Sequence, residues 1–195
     1  MPELDVLGPV LIANRGEIAV RICATLTRLG LRSVAVYSDA DAEAPHVRAA
    51  DVAVRIGPAD ARRSYLSIDA LLAAARESGA RSVHPGYGFL AESAAFSQAV
   101  TDAGLTWIGP PPSAIELMGD KARAKQLARE AGVPVVPGIE GTDLSGDQIE
   151  AFAAEHGFPI VVKAVAGGGG KGMRVVRAAE ELRGAVDAAR REASA

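Results

Sequence analysis

The sequence predicts an α/β fold, a parallel sheet wrapped by helices, followed by a smaller α+β segment. Three observations lead there. From residue 10 to residue 108, short β-branched runs alternate with amphipathic helical stretches. Gly109-Pro110-Pro111-Pro112 then interrupts the pattern, because successive prolines continue neither strand nor helix. Beyond that break, two further strand-like runs flank four consecutive glycines, Gly167, Gly168, Gly169 and Gly170.

The first strand spans residues 10–13, and residues 14–16 make a tight turn. Residues 17–29 read as a helix, with Ile18, Ile22, Thr25, Leu26 and Leu29 on one face and Gly30 as its stop. Residues 33–37 form the next strand and complete a strand–helix–strand unit. That unit invites a nicotinamide-dinucleotide reading, but its turn, Asn14-Arg15-Gly16-Glu17, holds one glycine where the fingerprint needs three. Asp39 and Asp41 sit where a ribose-binding acid would, and they are read as solvated turn acids.

A third strand covers residues 51–56, and residues 68–78 form an Ala/Leu-rich helix between a Ser67 cap and a Gly79 stop. A fourth strand, residues 81–84, runs into Pro85-Gly86-Tyr87-Gly88-Phe89. In an open parallel sheet, ligands collect beyond the carboxyl ends of strands, where this loop lies. Its two glycines let Tyr87 present its ring at close range, although a plain structural turn explains His84 and Tyr87 equally well. Residues 92–103 are helical, Gly104 stops them, and residues 106–108 are the last strand of this part. Ser113 is expected to cap a short helix ending at Met118, with a domain boundary just after it.

Residues 120–131 form a basic helix bearing Lys121, Arg123, Lys125 and Arg129. Lys121 lies in the first turn, where a cation opposes the helix dipole by up to ~1 kcal/mol, and an anionic ligand would explain it. Residues 133–138 are extended between prolines, residues 139–146 are loop, and residues 147–156 are a helix stopped by Gly157. Ile160, Val161 and Val162 make a strand that ends at Lys163, and residues 173–176 make another. From residue 178 a helix sets Leu182, Val186 and Ala189 on one face and runs to Ala195, which suggests a longer polypeptide.

Four residues without a Cβ let a backbone lie close to a ligand and direct several N–H groups at phosphate oxygens. Lys163 and Lys171 flank them and supply charge. A Walker A loop is excluded, because Lys171 is followed by Gly172 and a strand where Ser or Thr and a helix are required. Gly167-x-Gly169-x-x-Gly172 has dinucleotide-fingerprint spacing but does not open a helix. A kinase glycine loop has its lysine on a later strand, whereas Lys163 comes first. What remains is a lysine-bearing strand followed by a glycine flap over a nucleotide, weighed against a surface hairpin that binds nothing.

The 195 residues are 49% apolar and 23% charged, ordinary values for a globular protein with a proper core. A net charge of −3 with mixed signs gives no footprint for nucleic acid. No apolar run approaches membrane-spanning length, so neither a membrane partner nor a secretory leader is expected. Cys23, the lone cysteine, is read as core, and it points to a reducing, cytoplasmic location. His46, His84 and His156 have no metal-ligand spacing, so no metal site is assigned to this chain.

Four stretches, in order along the whole chain, resemble the biotin carboxylase family. They are Ala13-Asn14-Arg15-Gly16-Glu17-Ile18-Ala19, His84-Pro85-Gly86-Tyr87-Gly88-Phe89-Leu90-Ala91-Glu92, Met118-Gly119-Asp120-Lys121 and the glycine segment. The family includes the biotin-carboxylating subunits of acyl-CoA carboxylases and the first domain of pyruvate carboxylase. The resemblance implies a Rossmann-like domain over residues 1–118 and the truncated start of an ATP-grasp domain over residues 119–195. It implies ATP binding by Lys121, Lys163, Gly167, Gly168, Gly169 and Gly170, and a biotin and bicarbonate pocket at His84 and Tyr87. Ser93 stands where the family usually has asparagine, and Ala166 where it commonly has glycine.

In this family ATP phosphorylates bicarbonate to carboxyphosphate, and the released CO₂ carboxylates a ureido nitrogen of biotin on a carrier protein. The Mg²⁺-binding acids and the group that deprotonates bicarbonate match nothing here. No catalytic residue is therefore assigned, and the chain alone is expected to be inactive. The implied partners are a biotinylated carrier, a carboxyltransferase subunit that sets acyl-CoA specificity, and a second copy in a homodimer. Two alternatives stand: another ATP-grasp ligase resembling carbamoyl-phosphate synthase, and a non-catalytic nucleotide-binding or dimerisation module.

Overall fold

Val10–Ile12 (β1) is the centre of a five-stranded parallel sheet, and all three of its residues are fully buried. A strand covered on both faces needs a continuous apolar run, not an alternating one. The structure, a computed structural model, describes residues 6–119, 121–139, 141, 144–163 and 173–193. It forms two units, Met1–Ala124 and Lys125–Ala195.

In the first unit β1 is joined by Ser33–Ser38 (β2), Val52–Gly57 (β3), Ser82–His84 (β4) and Thr106–Trp107 (β5). Their order is β3-β2-β1-β4-β5, and every pairing is parallel. The helices are Gly16–Arg28 (α1), Pro45–Ala49 (α2), Ile68–Ser78 (α3), Ala94–Asp102 (α4) and Pro112–Gly119 (α5). Alternation along β1 builds the layers: Val10 and Ile12 pack with Ala19, Ile22, Cys23 and Leu26 of α1. Leu11 and Ala13 face the other way, toward Leu71, Ala74 and Ala75 of α3 and Phe96 and Val100 of α4. The strand order reverses between β1 and β4, and this opens a crevice at their carboxyl ends.

The fold class and the succession of strands and helices along the chain agree with the sequence reading, and Cys23 is buried. Ser67 caps α3 by accepting the Ala70 N–H at 3.3 Å, and Gly79 ends it with φ +67°. Three details differ. Helix α4 begins at Ala94 because the Ser93 hydroxyl accepts the Phe96 N–H at 3.2 Å and caps it. Leu29 is the C-cap of α1 and 44% exposed, so it leaves the apolar face. Ser113 lies inside α5, which starts on Pro112, and so does not cap it. Helix α2 and the 3₁₀ turns Asp39–Asp41 and Ala61–Arg63 are too short to show a period in the sequence.

Helix α6 spans Lys121–Glu130. The second unit continues with Gly146–His156 (α7), Ile160–Lys163 (β6), Met173–Val176 (β7) and Ala179–Ala193 (α8). Strands β6 and β7 pair antiparallel, with Val161 opposite Val175 and Lys163 opposite Met173. Ile160, Val162 and Val176 pack with Ile149, Ala153, Leu182 and Val186. A capping box opens α7: the Ser145 hydroxyl accepts the Gln148 N–H at 3.2 Å, and Gln148 Oε1 accepts the Ser145 N–H at 2.8 Å. Among the described residues, no helix is long and apolar enough to cross a membrane.

Candidate functional site

The second residue beyond β1 organises the crevice. Asn14 is 2% exposed, and its Nδ2 donates to the carbonyl oxygens of Pro85 and Tyr87 at 2.8 Å each. Its Oδ1 accepts the Arg15 N–H at 2.9 Å, so the buried carboxamide uses both donors and its acceptor. One side chain thus ties the end of β1 to the turn that follows β4. The sequence reading placed Asn14 only in a turn. The missed signal was an amide side chain at a strand end, facing a loop whose glycines cannot supply side-chain partners.

His84 ends β4, and its Nδ1 accepts the Gly86 N–H at 3.0 Å, which places the ring proton of the neutral form on Nε2. Burial pushes the His84 pKa down, and the charge of Arg21 adds to this, so the imidazole is neutral at pH 7. Tyr87 is 61% exposed, and its hydroxyl donates to Glu17 Oε1 at the start of α1. That hydrogen bond, with the Glu17 charge, raises the Tyr87 pKa and keeps the phenol protonated. An open groove of about 420 Å³ lies between residues 14–18 and Tyr87, Gly88 and Phe89. Both sequence motifs of the first unit therefore line one groove.

Phe89 closes the turn with φ +44°, a conformation that costs a non-glycine residue roughly 1–3 kcal/mol. Its ring stacks on Tyr65 at a centroid distance of 5.3 Å. The Arg15 guanidinium lies 5.6 Å from the Tyr65 centroid and 5.9 Å from that of Phe89. Asp41 accepts from Arg15 at 3.1 and 3.2 Å, from the Tyr65 hydroxyl at 2.7 Å and from the Ser38 hydroxyl at 3.0 Å. Burial alone would raise the Asp41 carboxyl, but hydrogen bonds from Tyr65 and Ser38 and the Arg15 charge hold it below the ordinary value. The expectation of a solvated turn acid is corrected here, since the Asp41 side chain is only 15% exposed. Asp39 is a surface acid, 52% exposed and paired with Arg55.

Behind the groove, His46 is fully buried. Its Nδ1 accepts the Gly16 N–H at 3.4 Å and its Nε2 donates to the Val36 carbonyl at 3.2 Å. Burial lowers its pKa, as does the Arg15 charge, while the Val36 contact and Asp41 partly oppose.

Lys121 is the first residue of α6, and no acid lies in the first turn of that helix. Lys163 ends β6 on the exposed face of the hairpin, beside Val161, Met173 and Val175, which are 58%, 52% and 54% exposed. Gly167, Gly168, Gly169 and Gly170 fall outside the described residues. Among the described residues, no group of three or more His, Cys, Asp or Glu could hold a metal ion.

Residues 7–115 match the family model described as biotin carboxylase, N-terminal domain. Residues 120–195 match the carbamoyl-phosphate synthase L chain, ATP binding domain. The mitochondrial methylcrotonoyl-CoA carboxylase subunit alpha of Arabidopsis thaliana is 50% identical over 194 residues, covering 100% of this chain and 26% of that protein. The biotin-dependent acyl-coenzyme A carboxylase alpha3 subunit of Mycobacterium leprae is 52% identical, covering 96% of this chain and 31% of that protein. Among solved structures, a Campylobacter jejuni biotin carboxylase complex aligns with a TM-score of 0.83 at 43% identity, over 94% of this chain and 41% of that one. The biotin carboxylase domain dimer of Hydrogenobacter thermophilus 2-oxoglutarate carboxylase aligns with a TM-score of 0.81 at 44% identity, over 94% and 40%. This chain thus spans about a third or less of those two curated relatives. With the domain model matched over more than half its length, the chain belongs to the biotin carboxylase family.

Proposed function

We propose that the chain supplies the amino-terminal part of an ATP-grasp ligase that carboxylates carrier-bound biotin with bicarbonate by way of carboxyphosphate. The observation that carries this reading is the groove at the β1/β4 switch point, walled by the Asn14 turn and by the Tyr87 turn that Asn14 holds. The Tyr87 ring offers a flat, half-apolar surface at its rim, and neutral His84 braces the turn beneath. Biotin, with a planar ureido ring and bicarbonate as co-substrate, suits such a pocket.

For ATP the chain offers Lys121 at a helix start, Lys163 at a strand end and the four glycines. The exposed Val161, Met173 and Val175 give an apolar floor beside Lys163 for the uncharged part of a nucleotide. The lysines offset phosphate charge, and amides of Gly169 and Gly170 stabilise the transferring phosphoryl group. Among the described residues no cluster fits Mg²⁺, so its ligands are assigned to the rest of the polypeptide. The Hydrogenobacter relative was solved as a dimer with MgADP and bicarbonate, which supports this ligand set and a homodimer. A biotinylated carrier and a carboxyltransferase are the further partners. We place the domain boundary after Met118, between the stretches matched by the two family models. The single, buried cysteine supports a reducing compartment such as the cytoplasm.

The test is ADP release by the complete purified polypeptide. Release that requires both bicarbonate and free biotin is the expected result. The match of residues 120–195 to a carbamoyl-phosphate synthase domain favours one competitor. Ammonia-dependent formation of carbamoyl phosphate without any biotin requirement would establish it instead. Nucleotide binding without turnover would make the chain part of a binding module.

A further inference from the structure

Asp41 is outside the groove, yet groups that shape the groove converge on its carboxylate. Arg15 donates to both oxygens, at 3.1 and 3.2 Å, and the Tyr65 hydroxyl donates to Oδ2 at 2.7 Å. The Tyr65 ring fixed in this way stacks on Phe89, and the fixed guanidinium lies within 6 Å of both ring centroids. Phe89 is the positive-φ residue at the far end of the turn that bears Tyr87. A backbone in that region persists only where its surroundings over-determine it. Asn14 grips the near half of the turn through the Pro85 and Tyr87 carbonyls. In the far half, the Ala91 N–H donates to the Gly88 carbonyl at 2.9 Å and Leu90 packs on the core, while the positive-φ residue itself is held by the ring contacts of Phe89.

We infer that Asp41 is a positioning residue for Tyr87, and through it for the biotin ring. It sets Arg15 and Tyr65, these hold Phe89, and Phe89 fixes the far end of the turn. The inference rests on the pocket assignment made above. The network includes none of the residues assigned to ATP, so its loss affects the use of biotin and leaves the use of nucleotide unchanged.

The experiment measures ADP release by the complete polypeptide with free biotin, in the parent, Asp41→Asn, Tyr87→Ala and the double variant. Asp41→Asn should lower kcat/KM for biotin about tenfold, mainly through KM, with KM for ATP within about twofold of the parent. In the Tyr87→Ala background, the same substitution should cost less than about threefold, because its effect passes through Tyr87. Equal losses toward biotin and ATP, or an undiminished loss in the double variant, would show a general structural role and overturn the inference. A silent Asp41→Asn beside an active Tyr87→Ala overturns the inference alone. A silent Tyr87→Ala overturns the pocket assignment and the inference together. Should Asp41→Asn fail to fold, Phe89→Leu removes the stack while sparing the polar network. It should give the same biotin-selective loss, and a neutral Phe89→Leu overturns the proposal.

Discussion

Gly86 stands so close to Asn14 that a β-carbon on it would lie 2.8 Å from Asn14 Nδ2 and 3.1 Å from Asn14 Cβ. Gly86 also has φ +66°, where an L side chain is strained. The buried amide and the bare glycine therefore depend on one another.

Gly86→Ala meets both penalties, whereas Gly88→Ala, at φ +65° with nothing within 4 Å, meets only the backbone strain. Gly88→Ala should cost on the order of 1–2 kcal/mol. Gly86→Ala should cost at least about 1 kcal/mol more, since displacing Asn14 leaves buried carbonyls unpaired. Denaturant unfolding followed by Trp107, the lone tryptophan, measures both variants. Equal costs would show that Asn14 yields without loss.

His46 makes the first unit sensitive to mild acid. An unfolded histidine titrates near ~6.5, and burial holds His46 lower in the folded state. Between those two values the unfolded chain binds the extra proton, so stability is complete above about pH 6.5 and falls as the pH drops toward the folded value. His84, lowered by burial and Arg21, acts in the same direction. His46→Gln keeps a donor and an acceptor without a titrating proton, and should flatten the loss of stability between pH 7 and pH 5. An unchanged slope in urea midpoints over that range would assign the effect elsewhere.

Lys163 ends strand β6 on the exposed face of its hairpin, next in the chain to the segment that carries the four glycines. In the complete polypeptide, Lys163→Gln should weaken ATP binding or slow turnover tenfold or more, about 1.4 kcal/mol. Unaltered kinetics would remove Lys163 from the nucleotide site.

The four glycines carry no side chains that could pack against a neighbour, so a ligand is the partner proposed for their backbone N–H groups. Charge-assisted hydrogen bonds from their N–H groups to phosphate contribute roughly 1.5–3 kcal/mol each. Amide hydrogen exchange at residues 167–172 of the complete polypeptide should therefore slow when ATP and Mg²⁺ are added. Equal protection with and without nucleotide, at matched pH, would make the segment a fixed turn.

The sheet was legible because β1 to β4 are apolar runs bounded by glycine, serine and turn residues, and their helices keep a 3.6-residue period. Helix boundaries failed where a single hydroxyl decides them. Ser93 starts α4 two residues late, and the Ser145–Gln148 capping box was readable but passed over. The site was legible in part. Tyr87 and His84 sit where strand-end logic places them, but Asn14, Asp41 and Tyr65 act across 24 to 73 residues of chain. Partnerships of that span leave no local pattern. Asp41 in particular looks like any turn acid until the fold brings Tyr65 and Arg15 to it.

The central place of β1 also sets a clock on synthesis. Val10 pairs with Ser33 on one side and with Ser82 on the other. Of the five strands of this sheet, β1 is made before the others, so it must wait for partners on both edges, and its second partner is made roughly 70 residues after it. At ~5–20 residues per second, its second edge stays open for about 4–14 s of translation. Over that interval a run of Val, Leu and Ile has an unpaired edge, and nascent chains must be shielded there or collide.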